Sequence, residues 1–237
     1  MRVRFLLWLI VAFGLTSRTC LAEGSNAPPD LTRASMVIVS AHLAEHHHAI
    51  GAGVVVAFTP YGVRALTARH VVASGDVRLW IDHRPYPAEV VRTFPHRDLA
   101  LLEAVVPAAV RVRARIAQIA SPQTPGDALL VWGEDDAGPR MERASLISPA
   151  YRSLDDAEAP PLIAIACARC DRGDSGGGIF SADGTLLAIL TANYITRTGR
   201  VLATVGERVS LSLFGPLETV ATSAAGGRLA PSAAAQP

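Results

Sequence analysis

The chain has 237 residues, half of them hydrophobic and 18% charged, with a formal net charge of +1. That length accommodates one domain of about 200 residues or two small ones, and the composition excludes a largely disordered chain. Every basic residue is Arg, and no basic excess calls for nucleic acid or an anionic membrane as a partner.

Residues 1–22 read as a secretory signal peptide. Arg2 and Arg4 precede an apolar run from Phe5 to Leu15, and Cys20 and Ala22 place small residues at −3 and −1. The run is short for a membrane span of about 20 residues. Cleavage near Ala22 and a periplasmic or secreted mature chain without a membrane span are therefore expected. Cleavage removes Arg2, Arg4 and Arg18 and no acid, which lowers the net charge by three to −2, and leaves Cys167 and Cys170 as the remaining cysteines. Two cysteines cannot build a disulfide scaffold, so packing must hold the fold. In an extended strand their Cα atoms would lie about 10 Å apart, so they can pair only if the chain turns between them.

From there the chain reads as short strands: Ser35–Val39, Gly53–Phe58, Ala65–Thr67, Val77–Ile81, Ala88–Thr93 and Leu99–Glu103, then, after Pro107, Ile116–Ile119, Ala128–Val131, Arg140–Ile147, Leu162–Cys167, Gly178–Ser181, Leu186–Ala192 and Arg200–Val205. Val, Ile, Leu and Ala dominate them, and Pro, Gly, Asp and Asn separate them, as in an all-β sandwich or barrel. His42, His46, His47 and His48 fall between the first two strands. With no carboxylate or Cys beyond Glu45 to complete a site, they read as a solvated polar loop, not a metal centre. The only helical stretch expected is Phe214–Ser223. Residues 23–220 form the expected folded domain, and the Ala-, Ser-, Gly- and Pro-rich tail 221–237 is expected to be disordered.

Chemistry concentrates in three places. In Cys170-Asp171-Arg172-Gly173-Asp174-Ser175-Gly176-Gly177-Gly178, a Ser on a tight glycine-flanked turn can project its hydroxyl. The N–H groups of Gly173 and Ser175 can converge on one oxygen as an oxyanion hole, where each donor contributes about 3–4 kcal/mol to a transition state. In Ala65-Leu66-Thr67-Ala68-Arg69-His70-Val71-Val72, an apolar strand ends in a His placed to act as a general base. In His96-Arg97-Asp98-Leu99-Ala100-Leu101-Leu102, Asp98 opens an apolar strand and can orient an imidazole. Taken singly, these are compatible with a surface turn, a buried structural His and a solvated Asp. In combination they are much more specific.

The order His70, Asp98, Ser175 resembles the chymotrypsin-like serine peptidases. It comes closest to the bacterial HtrA-type branch, with its Thr-x-x-His-Val, Asp-Leu-Ala-Leu-Leu and Gly-[Asn/Asp]-Ser-Gly-Gly blocks. The resemblance spans roughly residues 35–215. It implies two six-stranded antiparallel β-barrels dividing near residues 107–120, with His70 and Asp98 from the first and Ser175 from the second. It further implies a serine endopeptidase that acts on peptides or unfolded proteins without a cofactor or metal. Arg169, six residues before Ser175, would then lie at the floor of the pocket for the residue preceding the cleaved bond (P1) and favour an acidic side chain, and Leu190, Thr191 and Ala192 would form the walls. The competing expectation is a small aliphatic P1 with Arg169 turned outward.

Some features depart from the family pattern. Val71, not Cys, follows His70; no activation-cleavage motif is seen; a PDZ domain is not expected after residue 223; and the two cysteines before Ser175 are foreign to the branch. The α/β-hydrolases share Gly-x-Ser-x-Gly but place the catalytic His after the Ser. All seven His residues here, the last being His96, precede Ser175. A subtilisin order would need Asp30 in the leader segment. A non-catalytic trypsin-fold protein that binds peptides or a partner is the second reading, and a structural envelope protein the third.

Overall fold

In the computed structural model, residues 35–214 are described except 44–46, 74, 112–123, 125, 136–137, 153–157, 196–197 and 199–200. The signal-peptide segment, the strand expected at Ile116–Ile119, the tail and all but the first residue of the expected terminal helix lie outside the described residues. The chain's last described element is a single 3-10 turn, Leu211–Leu213.

Strands β1 (Met36–Leu43), β2 (His47–Phe58), β3 (Gly62–Thr67), β4 (Asp76–Ile81), β5 (Arg84–Thr93) and β6 (Ala100–Val105) close into one barrel in the order β1-β2-β3-β6-β5-β4. Strands β7 (Ala128–Asp135), β8 (Gly138–Tyr151), β9 (Leu162–Cys167), β10 (Gly178–Ser181), β11 (Leu186–Ile195) and β12 (Val201–Arg208) close the second barrel with the same connectivity. Neighbouring strands are antiparallel throughout. The two six-stranded barrels are thus those the sequence resemblance implied. No helix among the described residues is long and apolar enough to cross a membrane.

Of the polar stretch expected as a loop between the first two strands, His46 lies outside the described residues and the other three histidines lie in strands. His42 lies in β1, His47 and His48 lie in β2, and His42 pairs with His48. The apolar pattern stops there, but the backbone ladder does not need it. Among the described residues no group of His, Cys, Asp and Glu is arranged to hold a metal ion.

Two burial patterns explain the two kinds of strand. In β4, Val77, Leu79 and Ile81 are buried while Asp76 and Arg78 are exposed, the alternation of a strand with one face in water. In β2 and β10 the apolar run is continuous, and in β3 and β6 it is interrupted only by the Arg64–Glu103 pair, because both faces are covered over most of their length. Val55, Ala65 and Leu102 enter the first barrel's core, and Ile179 enters the second's. Their neighbours Val54, Leu66, Leu101 and Phe180 enter a third cluster shared by the two barrels, together with Trp132, Ile189 and Phe214.

At that seam the Ala52 N–H donates to Ser175 O at 2.8 Å, and Thr67 Oγ1 donates to Ala52 O at 2.7 Å. Gly176 sits there with φ +88, and a Cβ on it would collide with Ala52 O and Thr67 Oγ1. Gly126 has a similar φ of +91 but open space around it. Gly126→Ala is expected to cost about 1 kcal/mol through backbone strain alone, and Gly176→Ala at least about 2 kcal/mol more through the collision. Urea unfolding of the two variants measures the difference.

Candidate active site

His70 follows β3. After Ala68 the chain enters a single 3-10 turn, Arg69–Val72, pinned by the buried side chains of Val71 and Val72. Its imidazole is therefore held at the barrel rim by packing on its C-terminal side. Asp98 lies in the turn between β5 and β6, where buried Phe94 and Leu99 anchor the ends and the Phe94 N–H donates to Leu99 O at 3.2 Å.

The two residues meet through paired contacts. His70 Nδ1 lies 2.6 Å from Asp98 Oδ2, and the His70 backbone N–H donates to Asp98 Oδ1 at 2.9 Å. Arg69 N–H donates to Asp98 O at 3.3 Å. A proton on Nδ1 donates to the carboxylate and leaves Nε2 of the neutral ring as an acceptor. The hydrogen bond to Asp98 raises the His70 pKa above its ordinary value; partial burial opposes the shift and the carboxylate charge adds to it. Burial pushes the Asp98 pKa up, but hydrogen bonds and charge from His70, with Arg69 adding, hold it below the usual value.

Ser175 lies in the segment between β9 and β10. Its hydrogen bonds can be followed donor by donor. The Asp171 N–H donates to Asp174 Oδ2 and the Arg172 N–H to Asp171 Oδ1. Those of Asp174, Gly176 and Gly177 go to the carbonyls of Asp171, Leu190 and Asp174. Among residues 171–177, the backbone donors that no protein acceptor takes are those of Gly173 and Ser175, the pair singled out in the sequence. Gly173 adopts φ +95, a conformation open to glycine.

Asp174 is fully buried and pairs with Arg140 of β8. Arg140 Nη2 also donates to Arg169 O at 2.6 Å, so one guanidinium ties down both ends of the segment before Ser175. The chain bends at Ala168 and Arg169. This brings the Cα atoms of Cys167 and Cys170 to 5.6 Å, and the two form a disulfide.

A cavity of about 840 Å³ opens beside Ser175 and is lined by Arg169, Leu190, Thr191, Ala192 and Asn193 among others. The residues expected to bind substrate are thus gathered around Ser175. The Arg169 side chain is 73% exposed and pairs with Glu142 at 3.4 Å. Asn193 Nδ2 donates to Cys170 O at 2.9 Å and its Oδ1 accepts from Thr204 Oγ1 at 2.6 Å, linking the cavity's two walls. His70 and Asp98 stand outside this cavity. The His70 turn and the Ser175 segment come together at Gly51, where an added Cβ would meet Ser175 O at 2.6 Å and Val71 Cγ2 at 2.9 Å. Ser175 Oγ makes no hydrogen bond to the His70 ring in this conformation; such contacts are often long before substrate binds and tighten in the complex.

The trypsin-like peptidase domain matches residues 51–189, more than half of the chain. The chain belongs to the trypsin-like peptidase family. The active form of the Rv3671c protease from M. tuberculosis shares its fold at 22% identity and a TM-score of 0.65, over 83% of this chain and 86% of that one. The HtrA-type protease AlgW with tripeptide does so at 19% identity and a TM-score of 0.63, over 78% of this chain and 59% of AlgW. No curated protein matches the chain significantly.

Three residues at this site carry no local sequence signal: Arg140, Asn193 and Glu207. Glu207 is buried on β12 and accepts from the Asp98 N–H at 3.0 Å. The Arg140 pair gives the clearest energetic consequence, because removing one partner of a buried ion pair strands the other. Arg140→Met is expected to lower stability by about 3 kcal/mol and to loosen the segment before Ser175. Urea unfolding, compared with Arg140→Lys, measures the loss.

Proposed function

We propose that the protein is a serine endopeptidase in which Ser175 is the nucleophile, His70 the general base and then acid, and Asp98 the orienting carboxylate. Ser175 Oγ attacks the peptide carbonyl as its proton passes to His70 Nε2. The carbonyl oxygen takes up the negative charge within reach of the Gly173 and Ser175 N–H groups. His70 then protonates the leaving amine, and water, activated by the same imidazole, hydrolyses the acyl-enzyme. Asp98 stabilises the transient imidazolium. The observation that carries this reading is the donor pattern of residues 171–177, where the N–H groups of Gly173 and Ser175 are left for a ligand while their neighbours' are used.

Denatured protein substrate tests it. Ser175→Ala and His70→Ala are expected to lose about ten-thousand-fold or more of the hydrolysis rate while staying folded. A base must be neutral to accept a proton, and the His70 pKa is raised. Activity should therefore climb with pH through a midpoint above about 6.5. Unchanged activity in Ser175→Ala removes the serine mechanism; a folded, unreactive wild type points instead to a peptide-binding trypsin fold.

Arg140 supplies a cation to Asp174 from within the chain, which supports activity without a new N-terminus made by cleavage. The Cys167–Cys170 disulfide and the signal-peptide pattern support a secreted or periplasmic location, where disulfides persist.

Substrate side chains enter the cavity between residues 168–172 and 190–193. Arg169 lies mostly in water and pairs with Glu142, so its attraction for an acidic P1 residue is screened. Arg169→Ala is expected to change the ratio of acidic to aliphatic P1 cleavage by less than about tenfold. A peptide library cleaved by both forms gives that ratio, and a larger loss of acidic cleavage would place the guanidinium in the pocket.

A further inference from the structure

We propose that Glu207, reaching across from the second barrel, is a positioning residue for Asp98 and, through it, for His70. This rests on the serine-peptidase reading for its catalytic consequence, but not for its geometry.

Glu207 Oε1 accepts from the Asp98 N–H at 3.0 Å. Its Oε2 accepts from Arg97 Nη1 at 3.3 Å, and the same Arg97 nitrogen donates to Arg208 O at 3.1 Å. With this bond every polar group of Asp98 is engaged. Its N–H goes to Glu207, its carbonyl accepts from Arg69, Oδ1 accepts from the His70 N–H, and Oδ2 pairs with the His70 ring. The charged groups facing Glu207 are Arg97 and Asp98, both from the first barrel; the one facing His70 is Asp98, which in turn feels Arg69.

The Glu207 side chain is 5% exposed. Burial raises its pKa, and the Asp98 N–H and the Arg97 charge pull it back. A carboxylate out of water must have its oxygens satisfied, and here Arg97 takes one oxygen and the Asp98 N–H the other. Glu207 therefore fixes where the Asp98 peptide sits.

The bond also joins the two halves of the proposed machinery. His70 and Asp98 belong to the first barrel and Ser175 to the second. Glu207 pairs with Ile189 in the β11–β12 ladder. The next residue of β11, Leu190, accepts the Gly176 N–H at 2.7 Å. A continuous path of hydrogen bonds and strand pairing thus runs from the Asp98 peptide through Glu207 and β11 to the residue after Ser175. A one-ångström misplacement of a catalytic group can cost about a hundredfold in rate, so a tie of this kind across a two-barrel seam has kinetic consequences.

Two conservative variants of the full protein separate reach from charge. Glu207→Gln keeps an acceptor at the same distance and loses the charge. Glu207→Asp keeps the charge and withdraws the acceptor by about one carbon–carbon bond, 1.5 Å. The readouts are kcat and KM on a peptide substrate and the His70 imidazole titration by NMR, assigned by its loss in His70→Ala. Positioning predicts that Glu207→Asp lowers kcat ten- to hundredfold with KM within about twofold, and shifts the His70 titration down towards its ordinary value. Glu207→Gln is expected to stay within about fivefold of wild type in kcat and to move the titration less. Glu207→Asp behaving as wild type, or Glu207→Gln impaired as much as Glu207→Asp, overturns the proposal. Near-ultraviolet circular dichroism checks the fold, and collapse of both variants would make Glu207 a residue of the fold alone and also overturn it. The NMR titration needs no turnover. A wild type that hydrolyses nothing but shows this order of His70 shifts would remove the peptidase reading and leave the positioning role standing.

Discussion

Two closed barrels have no free strand edges with which to join each other, so everything done at the seam depends on the few polar contacts that cross it. The Ala52 N–H to Ser175 O bond is the central one. It seats the peptide of Ser175, the proposed nucleophile, on β2 of the first barrel, one residue from Gly51, which lies against the His70 turn. The shared apolar cluster beneath, with Leu66, Leu101, Phe180 and Ile189, supplies area but no register, because dispersion and the hydrophobic effect are non-directional. Register comes from the hydrogen bonds. Close approach of the backbones comes from Gly176, where any larger residue would press on Ala52 and Thr67.

The site also sets the carboxylates of Asp174 and Asp98 beside different partners. Asp174 is buried against the Arg140 guanidinium, a permanent cation, and serves to hold the segment before Ser175. Asp98 is buried less deeply and faces His70, a group that gains and loses its charge near neutral pH. The first arrangement is static and the second can follow a proton. That division matches the proposed roles, one acid shaping the loop and the other stabilising an imidazolium.

Much of this was legible in the sequence. β9 and β10 run over the ranges expected, and the Thr-x-x-His, Asp-Leu-Ala-Leu-Leu and Gly-Asp-Ser-Gly-Gly blocks lie where the barrels meet. Strand length was less legible. β2 and β8 extend beyond their apolar cores because an antiparallel ladder is made by the backbone and continues through polar residues, as where His42 pairs with His48. The turn that allows the disulfide has no Gly or Pro at Ala168-Arg169 to announce it. Counting back from Ser175 placed Arg169 on the cavity but could not say that Glu142 would hold its side chain towards solvent. Glu207 and Arg140 gave no local signal because their partners lie 109 and 34 residues away in the chain, and only the closure of the barrels brings them together.

The most direct test of the central claim is the site of covalent capture by a fluorophosphonate, mapped by mass spectrometry on the folded protein. A single adduct is expected, on the peptide containing Ser175. The adduct should form rapidly above the His70 titration midpoint, slow as His70 becomes protonated, and be nearly absent from His70→Ala. An adduct on another residue, or one on Ser175 formed at the same rate with and without a neutral His70, would contradict it.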